Sequence, residues 1–116
     1  MRRAALGAVV LLLSGPAIAQ AEVATRTYEG REASALRCAN MMAFTGITLN
    51  RAGLMADAEK DVLLGISVLI LERHVSGPWV SKKRAMEVMR DRRSVDDTLS
   101  DYQRNAPGCL KRFPIN

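Results

Sequence analysis

The residues able to do chemistry are few and scattered. His74 is the only histidine. An imidazole acts as acid or base only with a nucleophile or an orienting carboxylate beside it. Glu72 stands two residues away, on another helix face, and cannot orient the ring locally. His74 reads better as a cation-capable group near the negative end of a helix. Met41-Met42 and Met86-x-x-Met89 offer thioethers, which suit Cu(I). Methionine is also a usual filler of irregular cores, and that is the reading preferred here. Asp96, Asp97 and Asp101 cluster, but they fall in the first turns of a helix, where acids belong electrostatically. There is no Glu-x-x-His pair on facing helices, no glycine-rich phosphate loop after a strand and no serine in a nucleophile elbow. The expectation is a non-enzymatic protein with no assigned catalytic, cofactor or metal residue.

The two cysteines, Cys38 and Cys109, lie far apart and form no C-x-x-C motif. Isolated thiols without partners make a poor zinc or redox site. In an exported chain two cysteines usually pair. A structural disulfide is therefore expected, and the long loop it closes is worth about 4 kcal/mol in the chain-entropy model.

Export is read from the N-terminus. Arg2 and Arg3 are followed by a short apolar stretch over residues 4–13, then Gly15 and Pro16. Ala17-Ile18-Ala19 matches the small-x-small pattern of a cleavage site. Ala19-Gln20-Ala21 is a second site of the same kind. The pattern resembles a bacterial Sec signal and predicts a periplasmic or secreted protein. Residues 1–19 are the signal peptide, 20–27 a flexible leader and 28–116 one helical domain. Losing Arg2 and Arg3 lowers the net charge from +5 to +3. That mild excess does not call for nucleic acid or an anionic membrane as partner.

The aromatic residues are few, Tyr28, Phe44, Trp79, Tyr102 and Phe113. The core must be aliphatic and methionine, which suits an all-α bundle of about four helices. The first helix is predicted over about 28–52, ended by Gly53 as a left-handed cap. Ala35, Cys38, Met42, Thr45, Leu49 and Ala52 recur at spacings of three and four and lay one seam along it. Ala39, Ala43 and Gly46 beside the seam permit close helix approach. The second helix is predicted over about 56–75, with Asp57 as its cap. Ser76-Gly77-Pro78 stops it. Ser81 is the expected cap of a third helix ending near 93, with Ala85, Met86, Val88 and Met89 inward. Ser94 with Asp97 reads as a capping-box start of a fourth helix to about 105, with Val95, Leu99 and Tyr102 inward. Pro107-Gly108 is expected to interrupt it and let Cys109 turn back.

The chain is expected to be organised around residues 62–71, where only Gly65 and Ser67 interrupt an apolar run. Ten residues are too few for a membrane span, which needs about 20. On a helix, Val62, Leu63, Ile66, Leu69 and Ile70 form a broad apolar face. Leu64, Val68 and Leu71 form a narrower one, nearly opposite. A helix apolar on nearly all sides must be enclosed by other helices or by a partner. The narrower face is either covered by the tail through Leu110 and Phe113 or used for self-association. The third helix is the most basic stretch, and Lys83, Arg90 and Arg92 are its cations most free to meet something outside. The function read from this is association with an envelope protein or with itself. The alternative is a small-ligand or copper carrier whose cavity is lined by Met41, Met42, Met86 and Met89.

Overall fold

The computed structural model describes residues 26–116. The predicted signal peptide and most of the leader lie outside them. Among the described residues four helices follow one another: α1 over Gly30–Arg51, α2 over Asp57–His74, α3 over Trp79–Asp91 and α4 over Val95–Arg112. Among the described residues there is no strand, and no helix is long and apolar enough to cross a membrane. The all-α bundle expected from composition and periodicity is the observed fold.

The hub is α1, not α2. It alone packs substantially against all three other helices. Its seam explains this. Ala35, Cys38, Met42 and Thr45 are buried as predicted, and Leu36, Ala39, Met41 and Gly46 are buried beside them. Small residues let a neighbour in. A Cβ built on Gly46 would lie 3.3 Å from Leu63 Cβ of α2. The carbonyl of Ala39 accepts a 2.7 Å hydrogen bond from Ser67 Oγ of α2, so the serine that interrupts the apolar run is a buried inter-helix tie. The end of α1 follows the cap prediction closely. Gly53 adopts φ +75°. Gly53 N–H donates to Asn50 O and Leu54 N–H to Leu49 O, which is the Schellman pairing.

The apolar helix α2 is not enclosed. Leu63, Ser67, Ile70 and Leu71 are buried, yet Val62 is 60% exposed and Val68 39%. A four-helix shell built around α1 covers α2 mainly along its α1-facing strip. Two caps also differ from expectation. Asp57 lies inside the first turn of α2, with Ala56 as the N-cap residue; its carboxylate accepts instead from Asn50 Nδ2 at 2.7 Å. Helix α3 begins at Trp79 with Pro78 in the cap position, because proline's fixed φ and missing N–H suit a helix start. Ser81 is then a buried residue of the first turn.

The largest correction concerns α4. It starts as predicted, with Ser94 Oγ accepting from the Asp97 N–H at 3.0 Å. Val95 is largely exposed, and buried Thr98 takes the inward place in the first turn. The helix does not stop near residue 105 but runs through Pro107 and Gly108 to Arg112. An interior proline costs a helix about 3 kcal/mol and a glycine about 1. Tertiary contacts after them oppose that cost. Cys109 is bonded to Cys38 of α1, with 5.9 Å between the Cα atoms. Phe113 N–H donates to Cys109 O, and Phe113 is 0% exposed. The disulfide therefore joins α1 to the last turns of α4 rather than to a segment beyond a break.

Candidate functional site

The uncovered side of α2 faces an open apolar groove of about 360 Å³ between α1, α2 and α3. Its floor is Ala43, Phe44 and Ile47 from α1 with Leu64, Val68 and Leu71 from α2. Helix α3 supplies Trp79 and Met86 as further apolar wall and Lys83, Glu87 and Arg90 as the charged residues. The register of α3 explains this lining. Residues 79, 83, 87 and 90 are spaced by four and three, 86 lies three after 83 and four before 90, and all five share one face of the helix.

This groove unites two surfaces that looked separate in the sequence. Leu64, Val68 and Leu71, the narrower face of α2, lie in the same groove as Lys83 and Arg90 of α3. Arg92 does not join them and lines a different cleft, between α1 and α3. The tail does not line the groove: Leu110 is exposed, and Phe113 packs beside His74 instead. The four methionines part company. Met41 and Met42 are core residues, Met86 lines the groove and Met89 the second cleft.

Residues with no candidate-site role in the sequence complete the groove. Asn40, Ala43 or Phe44, and Ile47 recur at spacings of three and four, a second stripe beside the α1 seam that was legible in principle. Trp79, which precedes the expected Ser81 cap, is the first residue of α3 and stands 50% exposed on the wall.

Two other polar arrangements hold the walls of the groove in place. Lys82 is only 9% exposed, and its Nζ donates to Leu71 O at 3.0 Å. That bond sets an ammonium on the last turns of α2, the negative end of its dipole. Near the same helix end, Tyr28 Oη donates to Ser76 O at 2.9 Å. Partial burial holds the Tyr28 phenol above its ordinary range, opposed by the Arg26 charge, so it remains a neutral donor. Glu32 accepts the Ser76 N–H, which is the main reason its carboxyl lies below the usual range; a side-chain hydrogen bond from Ser76 and the charges of Arg26 and Lys82 act in the same direction.

His74 has a structural placement. Its Nε2 lies 2.8 Å from Pro114 O, a contact that assigns the proton to Nε2. Its ring meets Phe113 edge-on with centroids 5.4 Å apart. Arg31 and Arg112 also stack near the Phe113 ring, at 4.7 and 5.2 Å. No cysteine thiol is free, and no three His, Cys, Asp or Glu side chains among the described residues are grouped to hold a metal.

The fold and groove define a small, disulfide-linked four-helix domain with an open apolar face. Neither a scan against protein-family models nor searches of curated proteins and of solved structures found a match.

Proposed function

We propose that this protein works in the bacterial envelope, in the periplasm or after secretion, by seating an apolar segment of another protein chain in the α1–α2–α3 groove. The single observation that carries this reading is the groove itself. It is open and its floor is apolar, yet Lys83, Glu87 and Arg90 stand along one wall. Such a face suits an amphipathic helix, whose apolar stripe would meet the floor and whose acidic residues would meet Lys83 and Arg90. Lys83 makes no hydrogen bond or ion pair among the described residues. Arg90 pairs only with its neighbour Asp91, at 3.1 Å. An exposed pair of that kind is worth little and is readily exchanged. The signal-peptide pattern and the disulfide support the location.

Trp79, the only tryptophan, stands on the groove wall and reports occupancy. The test titrates the protein with acidic amphipathic helical peptides and follows Trp79 emission. A saturable blue shift in the wild type, absent in Val68→Glu and weakened in Lys83→Glu/Arg90→Glu, supports the reading. Added salt should weaken binding as well, since exposed charges are screened over about 8 Å at physiological ionic strength. Sedimentation equilibrium on the same variants separates the case in which the occupant is a second copy. Wild-type binding and sedimentation in Val68→Glu would remove the groove from the function.

A small-ligand carrier is the second reading, favoured by the groove's size. Ligand pockets run from about 300 to 1,000 Å³. An uncharged apolar ligand would shift Trp79 emission without salt dependence and without sensitivity to Lys83→Glu/Arg90→Glu. For copper, only Met86 of the four candidate methionines lines this groove. Cu(I) uptake lost in Met86→Leu but kept in Met89→Leu would support that variant of the reading.

A further inference from the structure

On the other side of α3 lies a cleft of about 550 Å³ between α1, α3 and the segment before α1. Its character is the reverse of the groove's. Among the described residues five arginines line it, Arg26, Arg37, Arg84, Arg92 and Arg93, and no aspartate or glutamate does. Leu36, Val88 and Met89 form an apolar side of the same cleft.

The five guanidinium groups are unequally engaged. Arg26 is held in place. It donates to Ser76 Oγ at 2.9 Å, stacks over Tyr28 at 5.1 Å, and lies where a Cβ on Gly77 would collide with it. Arg93 donates through one Nη to Asp101 at 2.5 Å, while its Nε is buried without a partner. Asp101 is shared with Arg104 at 3.1 Å, so it cannot neutralise Arg93 fully. Arg37, Arg84 and Arg92 make no hydrogen bond or ion pair among the described residues. Like charges gathered in one concavity repel one another and raise the local potential for anions.

We infer that this cleft binds a phosphate group carried on an apolar body. The chemistry of the lining selects that class. Guanidinium forks match oxyanions in bidentate geometry. A carboxylate brings one negative charge and two oxygens. A phosphate monoester brings about 1.5 to 2 charges and three acceptor oxygens at neutral pH, closer to what several arginines require. Leu36, Val88 and Met89 would take the apolar part. The ligand can be a free phosphorylated small molecule or the headgroup of an anionic lipid, and both present the same group. This inference does not rest on the groove reading, because the two sites share no lining residue among the described ones.

The test uses the full mature chain with three probes: inorganic phosphate, monomeric dodecyl phosphate, and vesicles of phosphatidic acid in phosphatidylcholine. Calorimetry with the two soluble probes should show saturable one-to-one binding, tighter for dodecyl phosphate by at least tenfold. Binding to the vesicles in co-sedimentation, absent for pure phosphatidylcholine, would assign the lipid source; soluble binding without vesicle binding would assign a free ligand. Arg37→Gln/Arg84→Gln should weaken binding at least tenfold. The matched control Lys83→Gln/Arg90→Gln removes the same charge from the other side of α3 and should change it less than threefold. Arg37→Lys/Arg84→Lys keeps the charge and loses the fork, and should fall between. No saturable binding to any probe overturns the inference, as does equal weakening by the two glutamine pairs. Melting curves establish that each variant is folded before it is compared.

Discussion

Lys82 Nζ donates to the carbonyl oxygen of Leu71 at 3.0 Å, so a nearly buried lysine of α3 closes the C-terminal end of α2. The neighbouring Lys83 is exposed and lines the groove. Adjacent lysines thus have opposite roles, one as scaffold and one as contact.

Replacing Lys82 with methionine keeps the stem and removes the donor and the charge. A hydrogen bond to a charged group contributes about 1.5–3 kcal/mol. Lys82→Met should therefore lose a comparable amount, with each kcal/mol lowering the melting temperature by about 4–8 °C in a domain of this size. Lys83→Met should stay within about 0.5 kcal/mol of wild type. Thermal and urea denaturation of the two variants check the contrast. Equal stabilities would contradict the cap.

The disulfide holds the last turns of α4 beyond Pro107. Cys38→Ser and Cys109→Ser should each cost about 2–4 kcal/mol, and the double variant should be no worse than either. Amide exchange in residues 109–113 should rise more than in the first turns of α4, because only the burial of Phe113 then opposes the proline and glycine penalties. Mass spectrometry of protein exported to the periplasm should find no free thiol.

Phe113 is fully buried against His74, Arg31 and Arg112. Phe113→Ala should cost about 3–5 kcal/mol. His74→Gln retains a donor that can reach Pro114 O but loses the ring contact, so its cost should be smaller, about 1 kcal/mol. Double-mutant denaturation measures the coupling of the two rings. Strict additivity would show that the contact contributes nothing beyond burial.

Glu32 supplies an acid-side pH dependence. Its carboxyl is lowered in the folded state, chiefly by the Ser76 N–H. A lowered folded value means that the stabilisation is complete above the ordinary glutamate range and is lost as pH falls through the folded value. Glu32→Gln should therefore be less stable than wild type above about pH 5, and the difference should vanish in strong acid. Melting temperatures across pH 2–7 test the sign. A difference that grew on acidification would refute the assignment.

Local rules written in the chain decided much of this protein. The seam from Ala35 to Thr45, the Gly53 cap, the Ser94 cap and the α-helical class were all legible, because each depends on residues within a few positions of one another. The pairing of Cys38 with Cys109 was legible for another reason: two cysteines in a chain that reads as exported leave one partner each. Tertiary structure alone decided the rest. Pro107-Gly108 carries a strong local stop signal, yet the helix continues, because Cys109 is bonded to Cys38, 71 positions away, and Phe113 is buried beside Arg31 and His74. The apolar run of α2 suggested a central helix, but centrality depends on which helix touches the others, and the small residues of α1 let it hold that place. The groove is the same kind of fact. Leu64, Val68, Lys83 and Arg90 lie on two helices, and only the packing of both on α1 brings their faces to one opening.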